Sequence, residues 1–281
     1  MEKILVPTDF SDKSQYALDF AAQLARKNNA QIHLVNVIEH PHGGSFNSTG
    51  TVAQPDDEEQ LFILALMRRN RERLQEMLSQ EQYEGIDIKS EVEVGRSFNT
   101  ITNKLAEHEC NLIVMGTHGT SGLEETLIGS NAERVIRHAD CPVITLKEHV
   151  ELDTIDHIAF ATDLHAEGNT LTNKIKLLQA ATGAKLHLVR INTPNNFVRD
   201  ADTLKHMEAY AAKYSLENYE FHIYNDVSEE DGIHSFAEAH DMDLIAMSTH
   251  GRTGIFHLIS GSIAEGVVNH AKRPVWTLKV R

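Results

Sequence analysis

The 281-residue sequence contains only two cysteines, Cys110 and Cys141, and they do not form a Cys-x-x-Cys pair. Two cysteines are too few for a disulfide framework and provide no zinc or redox motif. No apolar run approaches the roughly 20 residues that a membrane-spanning helix requires. The amino-terminal residues run directly into Pro7 and Asp9 and do not resemble a signal peptide. These absences predict a cytoplasmic protein without a membrane segment.

Basic side chains are scarce, because 26 lysines and arginines face 41 acidic residues and give a formal net charge of −15. This balance argues against a nucleic-acid partner, since phosphate backbones are bound by clustered basic side chains. The sequence also lacks a Gly-x4-Gly-Lys-Ser/Thr loop, so a conventional ATPase motor is not indicated. Its 17 histidines are scattered along the chain, and we assign no metal ligand. A small molecule and a protein of unknown identity remain as partners.

The chain repeats itself. Residues 4–9 and 32–37 resemble residues 158–163 and 186–191, at a separation of 154 positions. Residues 112–119 and 129–130 resemble residues 244–251 and 261–262, at a separation of 132. The first copy therefore holds 22 additional residues, which we place in an exposed, mobile loop within 40–60. The repeat predicts two domains, residues 1–150 and 151–281.

Each copy alternates short apolar runs with amphipathic segments. In the first copy we predict strands at 4–6, 31–38, 86–94, 112–116 and 143–147, and helices at 11–27, 60–79, 100–109 and 131–139. Continuous apolar strands that alternate with helices predict an α/β fold. Each tandem domain would be an open, five-stranded parallel sheet with helices on both faces, a Rossmann-like arrangement. Ligands of such sheets bind at the carboxyl ends of the strands.

Glycines lie at these predicted strand ends in the pattern Gly-x2-Gly-x9-Gly-Ser, formed by Gly116, Gly119, Gly129 and Ser130. Glycine permits close approach of the backbone, and the amides of a following helix N-terminus bind phosphate. An alternative is structural, because Ser130 and Glu133 also fit a capping box. Similarly, Asp9 could simply cap the first helix.

The combination of residues 5–11, Val94-Gly95, residues 115–119, Gly129-Ser130 and residues 141–143 resembles the universal stress protein family. The resemblance covers both copies and implies an adenine nucleotide alpha hydrolase-like fold that binds ATP or another adenine nucleotide. It places the ribose near Asp9, the adenine against Pro7 and Val37, and the phosphates on Gly119, Gly129, Ser130 and Asn131. The first candidate site comprises Pro7, Thr8, Asp9, Val37, Gly116, Thr117, His118, Gly119, Gly129, Ser130 and Asn131.

The second copy departs from this pattern because Ser248 replaces the first glycine. If that position requires a positive φ, serine costs on the order of 1 kcal/mol or more. If it requires only a small residue, serine is tolerated. The sequence leaves both open, together with a second candidate site of Ala161, Thr162, Asp163, Ile191, Ser248, Gly251, Arg252, Gly261, Ser262 and Ile263.

Glu124 is unfavourable near a triphosphate unless a divalent ion such as Mg²⁺ or Mn²⁺ intervenes or its side chain points away. No nucleophile–base pair recurs in both copies, so a fast enzyme is not indicated, although slow ATP hydrolysis stays open.

The resemblance suggests a nucleotide-responsive factor in stress adaptation. The alternatives are an interaction or scaffold module that binds no nucleotide and, ranked last, a metal-assisted hydrolase. Because edge strands of the resembled family pair across a dimer, we predict that residues 142–147 and 274–280 pair antiparallel within this chain as an internal pseudo-dimer. Association of two chains into a homodimer is left open.

Overall fold

The computed structural model describes residues 2–39, 57–117, 128–164, 169–250 and 257–280. The elements of the first half are β1 (Lys3–Thr8), α1 (Asp12–Asn28), β2 (Gln31–Ile38), α2 (Asp57–Leu78), β3 (Ile88–Val94), α3 (Ser97–Glu107), β4 (Leu112–Gly116), α4 (Ser130–His138) and β5 (Val143–Leu146). Those of the second half are β6 (His157–Ala161), α5 (Asn169–Thr182), β7 (Lys185–Asn192), α6 (Asp200–Tyr214), β8 (Tyr219–Asn225), α7 (Glu229–Ala239), β9 (Leu244–His250), α8 (His257–His270) and β10 (Val275–Val280). Among the described helices, none has the length and apolar composition needed to cross a membrane.

Local sequence signals set the ends of α1. Ser11 is its N-cap and accepts a hydrogen bond from the Ser14 backbone N–H at 3.3 Å, which satisfies one of the unpaired donors of the first turn. Asn29 ends the helix in the left-handed region at φ 50°, a conformation that asparagine adopts more readily than most residues. Apolar side chains spaced by three and four, including Phe20 and Leu24, are fully buried against the sheet.

All ten strands form one sheet in the order β3-β2-β1-β4-β5-β10-β9-β6-β7-β8. Strands within each half are parallel, whereas β5 and β10 pair antiparallel with Trp276 opposite Ile144. The predicted α/β fold and the predicted pairing of the two edge strands are therefore confirmed. Successive residues of β1 face opposite sides of the sheet, so that Ile4 and Leu5 belong to two different core layers.

Part of the segment 40–60, predicted as a loop, is helical. Residues 40–56 of the predicted loop lie outside the described residues, but α2 begins at Asp57 rather than residue 60. It is 22 residues long, against 15 for the corresponding α6. Glu58 and Glu59, within the segment predicted as a loop, thus lie in the first turn of a helix, where negative side chains interact favourably with the helix dipole.

Side chains from the two halves also bond across the seam between β5 and β10. Arg137 Nε on α4 donates to Glu265 Oε1 on α8 at 2.9 Å. The backbone N–H of Ile128, which immediately precedes the Gly129-Ser130 pair, donates to Asn269 Oδ1 on α8 at 2.6 Å. The second half therefore holds the segment that leads into α4.

A row of imidazoles crosses the second half near the amino ends of its strands. His187 is 6% exposed, and its ring nitrogens lie 3.0 Å from His157 Nδ1 and 2.9 Å from His222 Nε2. Burial, together with the neighbouring His222 and His157, lowers the pKa of His187 to about 4. The ring is consequently neutral in the folded protein at neutral pH.

This row predicts a pH dependence of stability. The folded pKa of His187 lies below its unfolded value, so the neutral ring contributes about 3 kcal/mol above about pH 6.5, and this is lost as the pH falls towards about 4. We expect His187→Gln to reduce the slope of unfolding free energy against pH in that window by up to about 1.4 kcal/mol per pH unit. Urea unfolding at several pH values measures this slope. His206→Gln, on the exposed face of α6, is the control. Equal slopes for wild type and His187→Gln would contradict this assignment.

Candidate functional site

The carboxyl ends of β1, β2 and β4 surround a cavity of about 340 Å³ in the first half. The amino ends of α3 and α4 complete its wall. Every candidate of the first site that lies within the described residues lines this cavity: Pro7, Thr8, Asp9, Val37, Gly116, Thr117, Gly129, Ser130 and Asn131. His118 and Gly119 lie outside the described residues, as do Thr120 and Glu124.

The end of β1 turns sharply so that Asp9 faces the cavity. Phe10 has a φ of 65°, a left-handed conformation that is rare for a bulky residue. The Thr8 hydroxyl holds the turn by accepting a hydrogen bond from the Phe10 N–H at 3.1 Å. Asp9 Oδ1 accepts from the Ser11 N–H at 3.1 Å and from the Ser11 hydroxyl at 2.6 Å. Asp9 is thus an oriented carboxylate rather than the cap of α1, whose N-cap is Ser11.

The amino end of α4 opens onto the same cavity. Gly129 is its N-cap, and glycine has no side chain with which to cap the helix. The predicted capping box is not formed, because Ser130 is already the first helical residue and Glu133 instead accepts from Arg137 at 3.2 Å. The first amides of a helix need partners, and an anion supplies them while interacting favourably with the helix dipole. This end of α4 therefore has the features of a phosphate site.

Glu39 is a cavity residue that the sequence analysis missed. It follows β2, and its Oε1 accepts from the Ser97 N–H at 3.2 Å and from the Ser97 hydroxyl at 2.6 Å at the start of α3. The hydrogen bond from the Ser97 hydroxyl is the main factor that lowers the pKa of Glu39, so the carboxylate is ionised. Asp9 and Glu39 both place carboxylates in the cavity wall, and Glu39 also forms a hydrogen bond with Asn131 in the first turn of α4.

Glycine is required at position 116 because there is no room for a side chain, and not because the backbone has a positive φ. Positive φ among the described glycines occurs at Gly85 and Gly183, and Gly116 is not one of them. A Cβ on Gly116 would lie 2.8–2.9 Å from backbone and Cβ atoms of Lys13 in the first turn of α1. Ser248, at the equivalent position of the second half, is partly buried.

Gly116→Ala is therefore expected to destabilise the protein by about 1–3 kcal/mol, because the new methyl group overlaps the backbone of α1. Ser248→Ala, at the equivalent position, adds no atoms and is expected to change stability by no more than about 1 kcal/mol, the usual contribution of one hydrogen bond. Chemical unfolding of the two variants measures both values. Equal stability of Gly116→Ala and wild type would show that α1 moves aside at little cost.

The candidates of the second half are arranged differently. Gly261 and Ser262 lie inside α8, which begins four residues before Gly261, so their amides belong to the helix and not to its open end. Ile191 is 7% exposed and packs on α7, where its Cγ2 would lie 2.4 Å from a Cβ on Gly232. Of the other candidates, Ala161 and Thr162 are buried, Asp163, Ser248 and Ile263 are partly buried, and Gly251 and Arg252 lie outside the described residues.

Comparison with known proteins identifies relatives of both halves. The model of the universal stress protein family matches residues 1–147 and again residues 154–279. A universal stress protein of Methanocaldococcus jannaschii is 32% identical over 147 residues, which cover 52% of this chain and 82% of that relative. A putative universal stress protein of Staphylococcus aureus strain USA300 is 30% identical over 149 residues, covering 52% and 84%. The crystal structure of a universal stress protein from Archaeoglobus fulgidus DSM 4304 has the same fold, with a TM-score of 0.74 at 23% identity, and covers 99% of this chain and 96% of that one.

Proposed function

The chain belongs to the universal stress protein family, with one match on each half, and from this premise we propose that its first half binds ATP or another adenine nucleotide. The main support for the proposal is the amino end of α4, which has a glycine as its N-cap and opens into the same cavity as the ends of β1, β2 and β4. A volume of about 340 Å³ lies in the range of small-molecule sites. The two proposed domains are residues 1–150 and 151–281.

The lining residues suit the parts of a nucleotide. Pro7 and Val37 provide apolar surface for the adenine, and the oriented Asp9 carboxylate can accept hydrogen bonds from ribose hydroxyls. The amides and side chains of Ser130 and Asn131 lie where phosphate oxygens would find donors. Gly119 is proposed to contribute a further amide.

Electrostatics favour a metal–nucleotide complex. Asp9 and Glu39 are carboxylates in the cavity wall, and the whole chain carries a net charge of −15. These carboxylates and the net negative charge repel a free triphosphate. Mg²⁺ or Mn²⁺ bound to the phosphates reduces this repulsion. We therefore expect ATP to bind more tightly with magnesium than without it.

In this proposal the bound nucleotide changes the surface presented to a protein partner. Asn269 of α8 accepts a hydrogen bond from the backbone N–H of Ile128, next to the proposed phosphate site, and so connects this site to the second half. Cys110 and Cys141 are buried and free, and burial raises their thiol pKa to about 11 and about 12, which fits unreactive thiols in the cytoplasm. Any hydrolysis of ATP is expected to be slow.

Isothermal titration with ATP, with and without magnesium, tests the proposal. We expect one nucleotide per chain, and ATP at 100 times its dissociation constant should add about 2.7 kcal/mol of stability. The absence of binding and of stabilisation at millimolar ATP would contradict the proposal and favour the interaction module that binds no nucleotide.

A further inference from the structure

Helices α7 and α8 bring three side chains with metal-binding atoms together, away from the first-half cavity. Glu230 and His234 lie one helical turn apart on α7, and His270 lies in the last turn of α8. One ligand atom from each lies within 4.8 Å of the other two. His270 Nδ1 is 2.9 Å from Glu230 Oε1 and 3.0 Å from the Gly266 carbonyl oxygen.

The fold makes specific room for this carboxylate. A Cβ on Gly266 would lie only 2.1 Å from Glu230 Oε2, so the Glu230 carboxylate rests directly on the backbone of α8. Any larger residue at position 266 would displace it from the two imidazoles. Gly266 therefore fixes where the carboxylate lies.

The imidazole of His234 supplies an independent observation. Its Nε2 is buried and makes no hydrogen bond of regular geometry within the described residues, and the ring also interacts with the backbone of Gly266. A buried polar nitrogen left unpaired costs about 1–3 kcal/mol.

The first half shows what the same place in the fold contains when no such site is present. By the separation of 132 positions, the equivalents of Glu230, His234, Gly266 and His270 are Phe98, Thr102, Arg134 and His138. Arg134 stacks over the Phe98 ring at 4.4 Å, and His138 meets the edge of the same ring. Only the histidine is shared, and the first half has neither the carboxylate nor the second imidazole.

We propose that Glu230, His234 and His270 bind a divalent metal ion such as Zn²⁺. Two imidazoles and one carboxylate are a ligand set for such ions. Tetrahedral zinc with bonds of about 2.1 Å keeps its ligand atoms about 3.4 Å apart, which small side-chain rotations provide here. His270 has 65% of its side chain exposed, so the site is open to solvent and a fourth position remains for water. The bound ion joins α7 to α8, whose Asn269 contacts Ile128 of the first half.

Zinc titration of the full-length, tag-free chain against a competing chelator, without nucleotide, tests the site. We expect wild type to bind one zinc ion and His270→Ala to bind it at least about 100-fold more weakly, because a direct ligand is removed. His138→Ala is the matched control and should bind zinc like wild type. Gly266→Ala keeps all three ligands but displaces Glu230, and should weaken binding at least about 10-fold.

Wild type that binds no zinc would overturn the proposal. Equal zinc affinity in wild type and His270→Ala would overturn it as well, since the ion would then occupy another group of histidines. Circular dichroism of each variant checks that it is folded. We expect His270→Ala to fold like wild type, because the His270 side chain is exposed. Neither result depends on whether the first half binds nucleotide.

Discussion

Gly129→Glu is expected to weaken ATP binding by at least about 100-fold while the protein remains folded. Gly129 has φ −63° and ψ 143°, an extended conformation that any residue adopts, so the substitution causes no backbone strain. A glutamate at the N-cap of α4 places its carboxylate at the positive end of the helix, where it occupies the position proposed for phosphate. Each hydrogen bond to a charged group contributes about 1.5–3 kcal/mol, so the loss of two such bonds gives the expected factor.

Two further variants separate this effect from a general loss of structure. Gly129→Ala keeps the amide and adds no charge, and we expect its affinity for ATP to lie within about 10-fold of wild type. Gly261→Glu introduces the same charge inside α8 of the second half and should leave ATP binding unchanged. Titration calorimetry measures all three. ATP binding by Gly129→Glu with the affinity of wild type would exclude the α4 terminus as the phosphate site.

Trp276→Ala is expected to lower the free energy of unfolding by about 3–5 kcal/mol. Trp276 is fully buried and lies on β10 opposite Ile144 of β5, in the only described antiparallel pairing of the sheet. Its removal leaves a cavity in the core layer that both halves share. The sheet is continuous through this pair, so the cavity destabilises both halves. Urea unfolding followed by circular dichroism, which does not depend on tryptophan fluorescence, measures the change.

Trp276→Phe is the matched control for the same position. The Trp276 Nε1 is buried and has no hydrogen-bond partner among the described residues, so phenylalanine removes an unpaired donor as well as some volume. We expect the net loss to stay within about 1.5 kcal/mol. If Trp276→Ala unfolds at the same urea concentration as wild type, the pairing of β5 and β10 does not carry the stability assigned to it.

Much of the fold could be predicted because each element has a local signal. The apolar runs and the spacing of residues such as Phe20 and Leu24 place strands and helices within a few positions of those observed. The pairing of β5 with β10 followed from the resemblance and is confirmed. The early start of α8 at His257 has no such signal, because the Gly261-Ser262 pair favours a helix start several residues later.

The candidate site was predictable where its residues are close in sequence and not where it depends on distant contacts. Gly129, Ser130 and Asp9 could be proposed from motifs at strand ends. Glu39 joins the cavity because Ser97, 58 positions away, orients it. Asn269 contacts Ile128 from the other half of the chain. Such pairings depend on the tertiary fold, so they cannot be predicted from the composition of the sequence or the spacing of its motifs.

A crystal structure of the chain grown with saturating ATP and magnesium would locate the nucleotide. We predict one nucleotide in the first half, with its phosphates on the amides of Ser130 and Asn131 and its base against Pro7 and Val37. A first-half cavity that stays empty at saturating nucleotide, or that is filled by its own side chains, would contradict the proposed function.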